Sequence, residues 1–305
     1  MISMYNKRLY KYYFHKDLKV KIWWEILKDV RGHEVGFIPM VQGTGSKRFM
    51  TIGKIDFLVK NLKYFFCQGD YNVYHLFRGL EYVRASDVVG GSKFKKKYED
   101  SVYGMDYVVD VDAEGDLDLA KSVAGEVVDL FNRYKMPYEI KFSGSKGFHL
   151  VVYWKFLNKY IHLPIRHLWI DSMNTVLLDN INRKYHKYVD LATNRTHGLF
   201  RVKYSMHPKT RLVSVPLTLK EFESFSTELA DPFNDNFTVK NSLVLTNDGS
   251  SLNSLVKNYP ELDQKTVMSP ELEKAYAKAF VAMHLISELD ASMRYLVERL
   301  LFRKR

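Results

Sequence analysis

Asp110 and Asp112 stand two residues apart at the end of an otherwise apolar run, Tyr107-Val-Val-Asp-Val-Asp112. Alternate side chains of a strand point the same way, so both carboxylates share one face. Anions held that close repel and raise each other's pKa. A divalent cation between them removes that cost, so the pattern predicts a metal site at a strand end. A calcium loop starting at Asp110 fails, because an EF-hand needs an incoming helix and a bidentate acid where Lys121 stands. Sugar-nucleotide glycosyltransferases also hold manganese with Asp-x-Asp, so the pair alone leaves that chemistry open.

Two further groups of residues suit an anionic partner of such a metal. Ser143-Gly-Ser-Lys146-Gly147 is a turn whose glycines let backbone N–H groups approach phosphate oxygens, with Lys146 as a point charge. His149 follows on the emerging strand, on the face opposite Phe148 and Leu150. The same residues also suit a plain polar hairpin turn, and no Walker A loop is present. Asp190 is a third acid preceded by valine. Arg201, Lys203, Ser205 and His207 then alternate with Val202, Tyr204 and Met206. An extended chain places the first set on one face, where it suits triphosphate oxygens or protects a sheet edge.

The elements that must position these groups follow from periodicity. The spacing predicts a helix within about 10–30, short strands between the glycines that follow, and a helix over about 117–134. A β-hairpin spans about 138–154. A further helix is expected over 163–188, and a strand pair over 199–205 and 213–217. Ser269-Pro270 opens a last helix, with an apolar stripe from Leu272 to Leu300. We expect one domain over 1–260, with a helical insertion at about 155–188, and a C-terminal helical segment over 261–305.

The chain has 305 residues and a net charge of +11, from 46 basic and 35 acidic side chains. That balance suits a polyanionic partner and fits a non-catalytic nucleic-acid binder as well as an enzyme. Its one cysteine, Cys67, excludes an intramolecular disulfide and a Cys-rich zinc site. No apolar run is long enough to cross a membrane, and the first residues have no apolar core of signal-peptide length. The expectation is an intracellular protein with no membrane contact.

Taken in order, these motifs resemble the catalytic small subunit of the archaeal–eukaryotic DNA primases. Asp110-Val-Asp112, Ser143-Gly-Ser-Lys-Gly-Phe-His149, Val189-Asp190, Arg201-Val-Lys-Tyr-Ser205-Met-His207-Pro-Lys209-Thr210 and Ser214-Val-Pro216 carry the likeness, over about 103–217. The resemblance implies an α/β (α+β) fold: a two-layer prim-type core with mixed sheets, a short helical insertion and a C-terminal helix. It implies two divalent ions, magnesium or manganese, bound by Asp110, Asp112 and Asp190. Ser143, Lys146, His149, Arg201, Ser205 and His207 would bind the incoming nucleoside triphosphate. The implied activity is priming, the template-directed synthesis of short RNA or DNA on single-stranded DNA, with a primase large subunit as a further partner. Where the family often shows Arg-Glu-Phe, this chain has His33-Glu-Val-Gly-Phe37, and Arg48 on the next strand is the substitute. The structural zinc of many members is not expected here.

Overall fold

The apolar run that ends in two acids is a strand, and the rest of the fold is arranged around it. The computed structural model describes residues 12–13, 19–30, 32–40, 49–52, 72–83, 102–134, 136–154, 166–207 and 209–240. Arg48, Cys67 and the expected C-terminal helix lie outside these residues.

The second half of the chain builds one antiparallel sheet. It contains β5 (Tyr107–Asp112), β6 (Glu139–Phe142), β7 (Gly147–Val152), β8 (Val189–Asp190) and β10 (Pro216–Leu217), in the order β10-β6-β7-β5-β8. The first half builds another from β1 (His33–Met40), β2 (Phe49–Ile52), β3 (Asn72–Val83) and β4 (Val102–Met105), in the order β2-β1-β3-β4. A late strand, β9 (Leu199–Arg201), crosses back to pair with β3. The α+β class holds. The mixed sheets do not: every strand pairing among the described residues is antiparallel.

Sequence explains why the second sheet has one apolar and one charged face. Val111, Phe148 and Phe142 sit in register across β5, β7 and β6, as do Val109, Leu150 and Ile140. The helix α2 (Leu117–Arg133) packs on this sheet with Ala120, Val123, Ala124, Val127, Leu130 and Phe131, at helical spacing. Each fully buried valine or leucine there contributes roughly 1.5–3 kcal/mol. Asp116 caps the helix, accepting the Leu119 N–H at 2.9 Å. A short helix α4 (Leu219–Glu223), closed by a capping box between Thr218 and Glu221, brings Phe222 edge-on to Phe148, with centroids 5.2 Å apart.

Two sequence expectations give way for local reasons. The helix expected over 163–188 stops early, as α3 (Arg166–Asn180). The Asn182 side chain accepts the Lys184 N–H and starts a separate 3-10 helix, Arg183–Tyr188. The strand pair expected over 199–205 and 213–217 is not a pair. β9 belongs to the first sheet and β10 to the second, with an isolated bridge between Met206 and Val213.

The charged face of the second sheet meets the first through a buried ion network. Arg78 on β3 is fully buried. Its Nε donates to Asp29 Oδ1 at 3.1 Å, and a terminal nitrogen donates to Asp106 Oδ2 at 2.8 Å. Asp29 belongs to α1 (Lys19–Val30), and Asp106 joins β4 to β5. Asp106 Oδ1 accepts the Trp154 N–H, and Asp29 Oδ2 accepts the Lys203 N–H, both at 2.7 Å. Burial alone would push the Asp29 carboxyl up. Arg78, Lys203 and Lys141 outweigh burial and hold it well below the usual carboxylate range.

Arg78→Ala leaves Asp106 buried without its counter-ion and Asp29 without its strongest one, so it should cost about 3–5 kcal/mol of folding stability. Urea unfolding at neutral pH measures this. A loss below about 1 kcal/mol would show that the ion network does not join the two sheets.

Candidate active site

Strand register places one row of side chains across four strands of the second sheet. Lys141 on β6 pairs with His149 on β7, His149 pairs with Asp110 on β5, and Asp110 pairs with Asp190 on β8. Directly paired residues share a face, with Cβ atoms roughly 4.5–5.5 Å apart. Asp112, two residues beyond Asp110, lies on the same face at the strand end. The structure therefore brings the three acids together on neighbouring strands, although Asp190 is far from the others in sequence.

Local turns orient the outer two acids. Asp112 Oδ1 accepts the Glu114 N–H at 2.9 Å, and Asp190 Oδ1 accepts the Ala192 N–H at 2.8 Å. Past β8, the Asn194 side chain takes the place of a strand residue, since its Oδ1 accepts the Val108 N–H and its Nδ2 donates to the Val108 carbonyl. Asp110 lies deeper but keeps 29% of its side chain exposed, enough to meet an ion from the mouth. Burial, then Asp190 and Asp112, push its carboxyl from 3.8 to about 7 against the opposing pull of Lys141 and Arg201.

A cleft of about 260 Å³ opens beside these acids. Asp110, Asp112, Ser143, Lys146, His149, Arg201 and His207 all line it. Ser143 shapes the turn, because its Oγ accepts the N–H groups of Ser145 at 3.3 Å and Gly147 at 3.2 Å. Those two N–H groups close the turn rather than pointing outward, which narrows the expected phosphate cradle. Lys146 is exposed at the tip. Gly144 has φ +91°, and a Cβ on Gly147 would stand 1.7 Å from the Val111 carbonyl oxygen. Both positions therefore require glycine.

The imidazoles are neutral near pH 7. His149 is buried, with Nε2 3.5 Å from Asp110 Oδ1 and Nδ1 without a partner among the described residues. Burial, then Lys141 and Arg201, hold it well below the usual histidine range. Burial, then Arg201 and Lys209, lower His207 to about 4, and its Nδ1 meets the Thr210 N–H at 3.3 Å. Arg201 remains cationic, although burial lowers it to about 10. Its guanidinium stands 5.3 Å from the Phe77 ring centroid.

The row expected over 201–207 is not one extended face. Val202 to Ser205 form a turn, with Tyr204 at φ +60°. The turn carries Ser205 away from the cleft, fully buried, where its hydroxyl accepts the Leu76 N–H at 2.8 Å. Lys203 turns inward to Glu139 at 3.1 Å. Sequence reasoning missed Lys141. Its ammonium donates to the Arg201 carbonyl and lies 4.4 Å from the Phe200 ring centroid. Burial drags it down to about 7 against the pull of Asp29. The alternation of Glu139 and Lys141 against Tyr138, Ile140 and Phe142 was the signal for a charged inner face.

Three carboxylates whose repulsion no protein cation fully relieves are an all-oxygen donor set that fits a hard divalent ion such as magnesium or manganese. Among the described residues, no group of three or more His, Cys, Asp or Glu side chains stands close enough to hold a metal ion as it is, so the acids would have to draw together around one.

No protein-family model matches the chain. A stretch of 115 residues, 37% of the chain, is 30% identical to an uncharacterized protein of Methanocaldococcus jannaschii, and spans a quarter (25%) of that protein's length. Among solved structures, the chain is similar to the polymerase domain of Mycobacterium tuberculosis Ligase D in complex with DNA. The TM-score is 0.46 at 14% identity, over 84% of this chain and 93% of that one. A likeness that loose establishes neither activity nor substrate.

The raised Asp110 carboxyl makes a pH prediction. The folded chain holds a proton that the unfolded chain releases near 3.8, so stability from this group is complete below 3.8 and is lost as pH rises through about 7. In metal-free protein, Asp110→Asn should therefore melt above wild type at pH 8 and together with it near pH 3.5. Saturating manganese should reverse the order at pH 8. Melting curves at the two pH values measure this, and a pH-independent difference contradicts it.

Proposed function

We propose that the chain is a metal-dependent nucleotidyltransferase of the primase type, making short RNA or DNA strands on a single-stranded DNA template. The row Lys141–His149–Asp110–Asp190, opening onto a cleft lined by Ser143, Lys146, Arg201 and His207, carries the reading. The acids call for a cation, and the basic groups beside them call for an anion. A nucleoside triphosphate with its divalent ions satisfies both. A glycosyltransferase accounts for Asp110 and Asp112 but gives Asp190, Arg201 and His207 no role. A non-catalytic binder gains nothing from three acids that repel phosphate.

In the reaction, the 3′ oxygen of a strand bonds to the α-phosphorus and the bond to the bridging oxygen breaks. The hydroxyl proton passes to solvent and pyrophosphate leaves. Two magnesium or manganese ions, held by Asp110, Asp112 and Asp190, would supply charge neutralisation and a lower hydroxyl pKa. The protein's own groups hold the triphosphate. Arg201 keeps its charge in a buried wall, where each contact is worth more than in water. Lys146 reaches from the turn tip, and neutral His149 can donate at one ring nitrogen while accepting at the other. A large-subunit partner would hold template and aid initiation, so the chain alone should extend a supplied primer better than it starts a new strand.

Incorporation of labelled nucleotide on a primed single-stranded template tests the reading. Wild type should extend the primer in magnesium or manganese, and Asp112→Ala and Asp190→Asn should incorporate nothing. His149→Ala should lower nucleotide use by about 10²–10³-fold while template affinity stays unchanged. Wild-type rates from either acid variant would remove that acid from the site. Metal-dependent turnover of a sugar nucleotide without strand extension would replace the proposal with a glycosyltransferase.

A further inference from the structure

The 3-10 helix Arg183–Tyr188 has no part in the site described above. Its residues, Arg-Lys-Tyr-His-Lys-Tyr, carry three permanent cations and no acid. Three residues per turn stack each side chain over the one three positions on. Lys184 and Lys187 therefore form one exposed edge, and Tyr185 and Tyr188 form another, packed against the core. The Lys184 ammonium lies 4.6 Å from the Tyr185 ring centroid, and that of Lys187 lies 4.7 Å from Tyr188. Arg183 is exposed beside them. No carboxylate among the described residues forms an ion pair with these three cations.

The helix is pinned at both ends. Glu126 Oε2 accepts the Asn182 N–H at 2.6 Å at its start, and β8 follows directly at its end. Asp190 pairs with Asp110 and Val189 with Val111, so the chain before β8 leaves the sheet beside Asp112. The Ser143–Gly147 turn stands at the same end of the sheet but on the other side of β5, with Gly147 opposite Asp112. The acids thus lie between a turn that carries Lys146 into the cleft and a cationic helix.

That placement has a chemical consequence. In phosphoryl transfer the attacking oxygen and the leaving group stand roughly in line, on opposite sides of the phosphorus. With pyrophosphate leaving on the Ser143–Gly147 side, the attacking strand must arrive from the β8 side. We propose that Arg183, Lys184 and Lys187 bind the phosphates of the strand being extended and bring its 3′ end to Asp110, Asp112 and Asp190. The identity of that strand rests on the nucleotidyltransferase reading; the affinity of the helix for a nucleic-acid backbone does not.

The test compares the full chain with an Arg183→Ala/Lys184→Ala/Lys187→Ala variant, whose changes are all at exposed positions. The probe is a fluorescein-labelled DNA primer annealed to a longer template, followed by anisotropy across a salt titration. The variant should bind at least about tenfold more weakly, with a salt slope shallower by about 2.7 for three lost phosphate contacts on duplex. Lys184→Arg/Lys187→Arg should bind as wild type does, and the alanine variant should keep wild-type affinity for a fluorescent nucleoside triphosphate. A photo-crosslinker at the primer 3′ end should label peptides containing 183–188. Unchanged DNA affinity and slope in the alanine variant would overturn the proposal, as would an equal loss of triphosphate affinity or crosslinking from the template strand alone. Extension by wild type, run in parallel, judges the nucleotidyltransferase reading separately. If wild type does not extend the primer, the anisotropy result still decides whether this helix binds DNA.

Discussion

A fully buried guanidinium must be met by anions wherever it goes, and Arg78 imposes that requirement on both sheets. It draws Asp29 from α1 and Asp106 from the junction before β5, at 3.1 and 2.8 Å. Those acids in turn take N–H groups from Lys203 and Trp154. The register of β5 is thereby tied to β3, to the end of β7 and to the turn after β9. Phe200 closes the arrangement, with the Arg78 guanidinium 4.3 Å from its ring centroid. Buried ion pairs rarely add net stability over apolar packing. What this one provides is a charged layer between two sheets, which an apolar core could not.

The candidate site is where that charged layer reaches the surface. Within the layer, anions and cations are matched: Arg78 with Asp29 and Asp106, Lys203 with Glu139. Toward the mouth the matching fails. Lys141 and neutral His149 lead to Asp110, and beyond it Asp112 and Asp190 add two more negative charges. Burial together with these neighbours raises the Asp110 carboxyl to about 7. On the cleft side Arg201 supplies excess positive charge. Such an imbalance, positive beside negative across a small cleft, is what a metal-bound polyphosphate would neutralise.

Much of this was legible in the sequence where the signal is local. Alternation marked β5 and the hairpin of β6 and β7, and the apolar spacing marked α2 to within a residue. The face shared by Asp110 and Asp112 follows from strand geometry alone. Asp190 could be found only through the order of motifs, since nothing local to Val189-Asp190 shows which strand it joins. The Arg78 network was invisible because its partners lie 49 and 28 residues away and no periodicity links them. The 201–207 row failed for another reason. Alternation assumes an extended backbone, and a left-handed tyrosine at 204 breaks it without the glycine that usually marks such a turn. Ser205 and Lys203 therefore serve packing between the sheets, while Arg201 and His207 still reach the cleft.

The central claim is that Asp110, Asp112 and Asp190 hold divalent ions against a triphosphate seated on the Ser143–Gly147 side. Anomalous diffraction at the manganese edge tests it directly, from crystals grown with manganese and a non-hydrolysable nucleoside triphosphate. The account predicts anomalous density between the three carboxylates, with phosphate oxygens within hydrogen-bonding reach of Arg201, Lys146 and His149. Manganese bound away from the three acids, or a triphosphate lying outside this cleft, would contradict it.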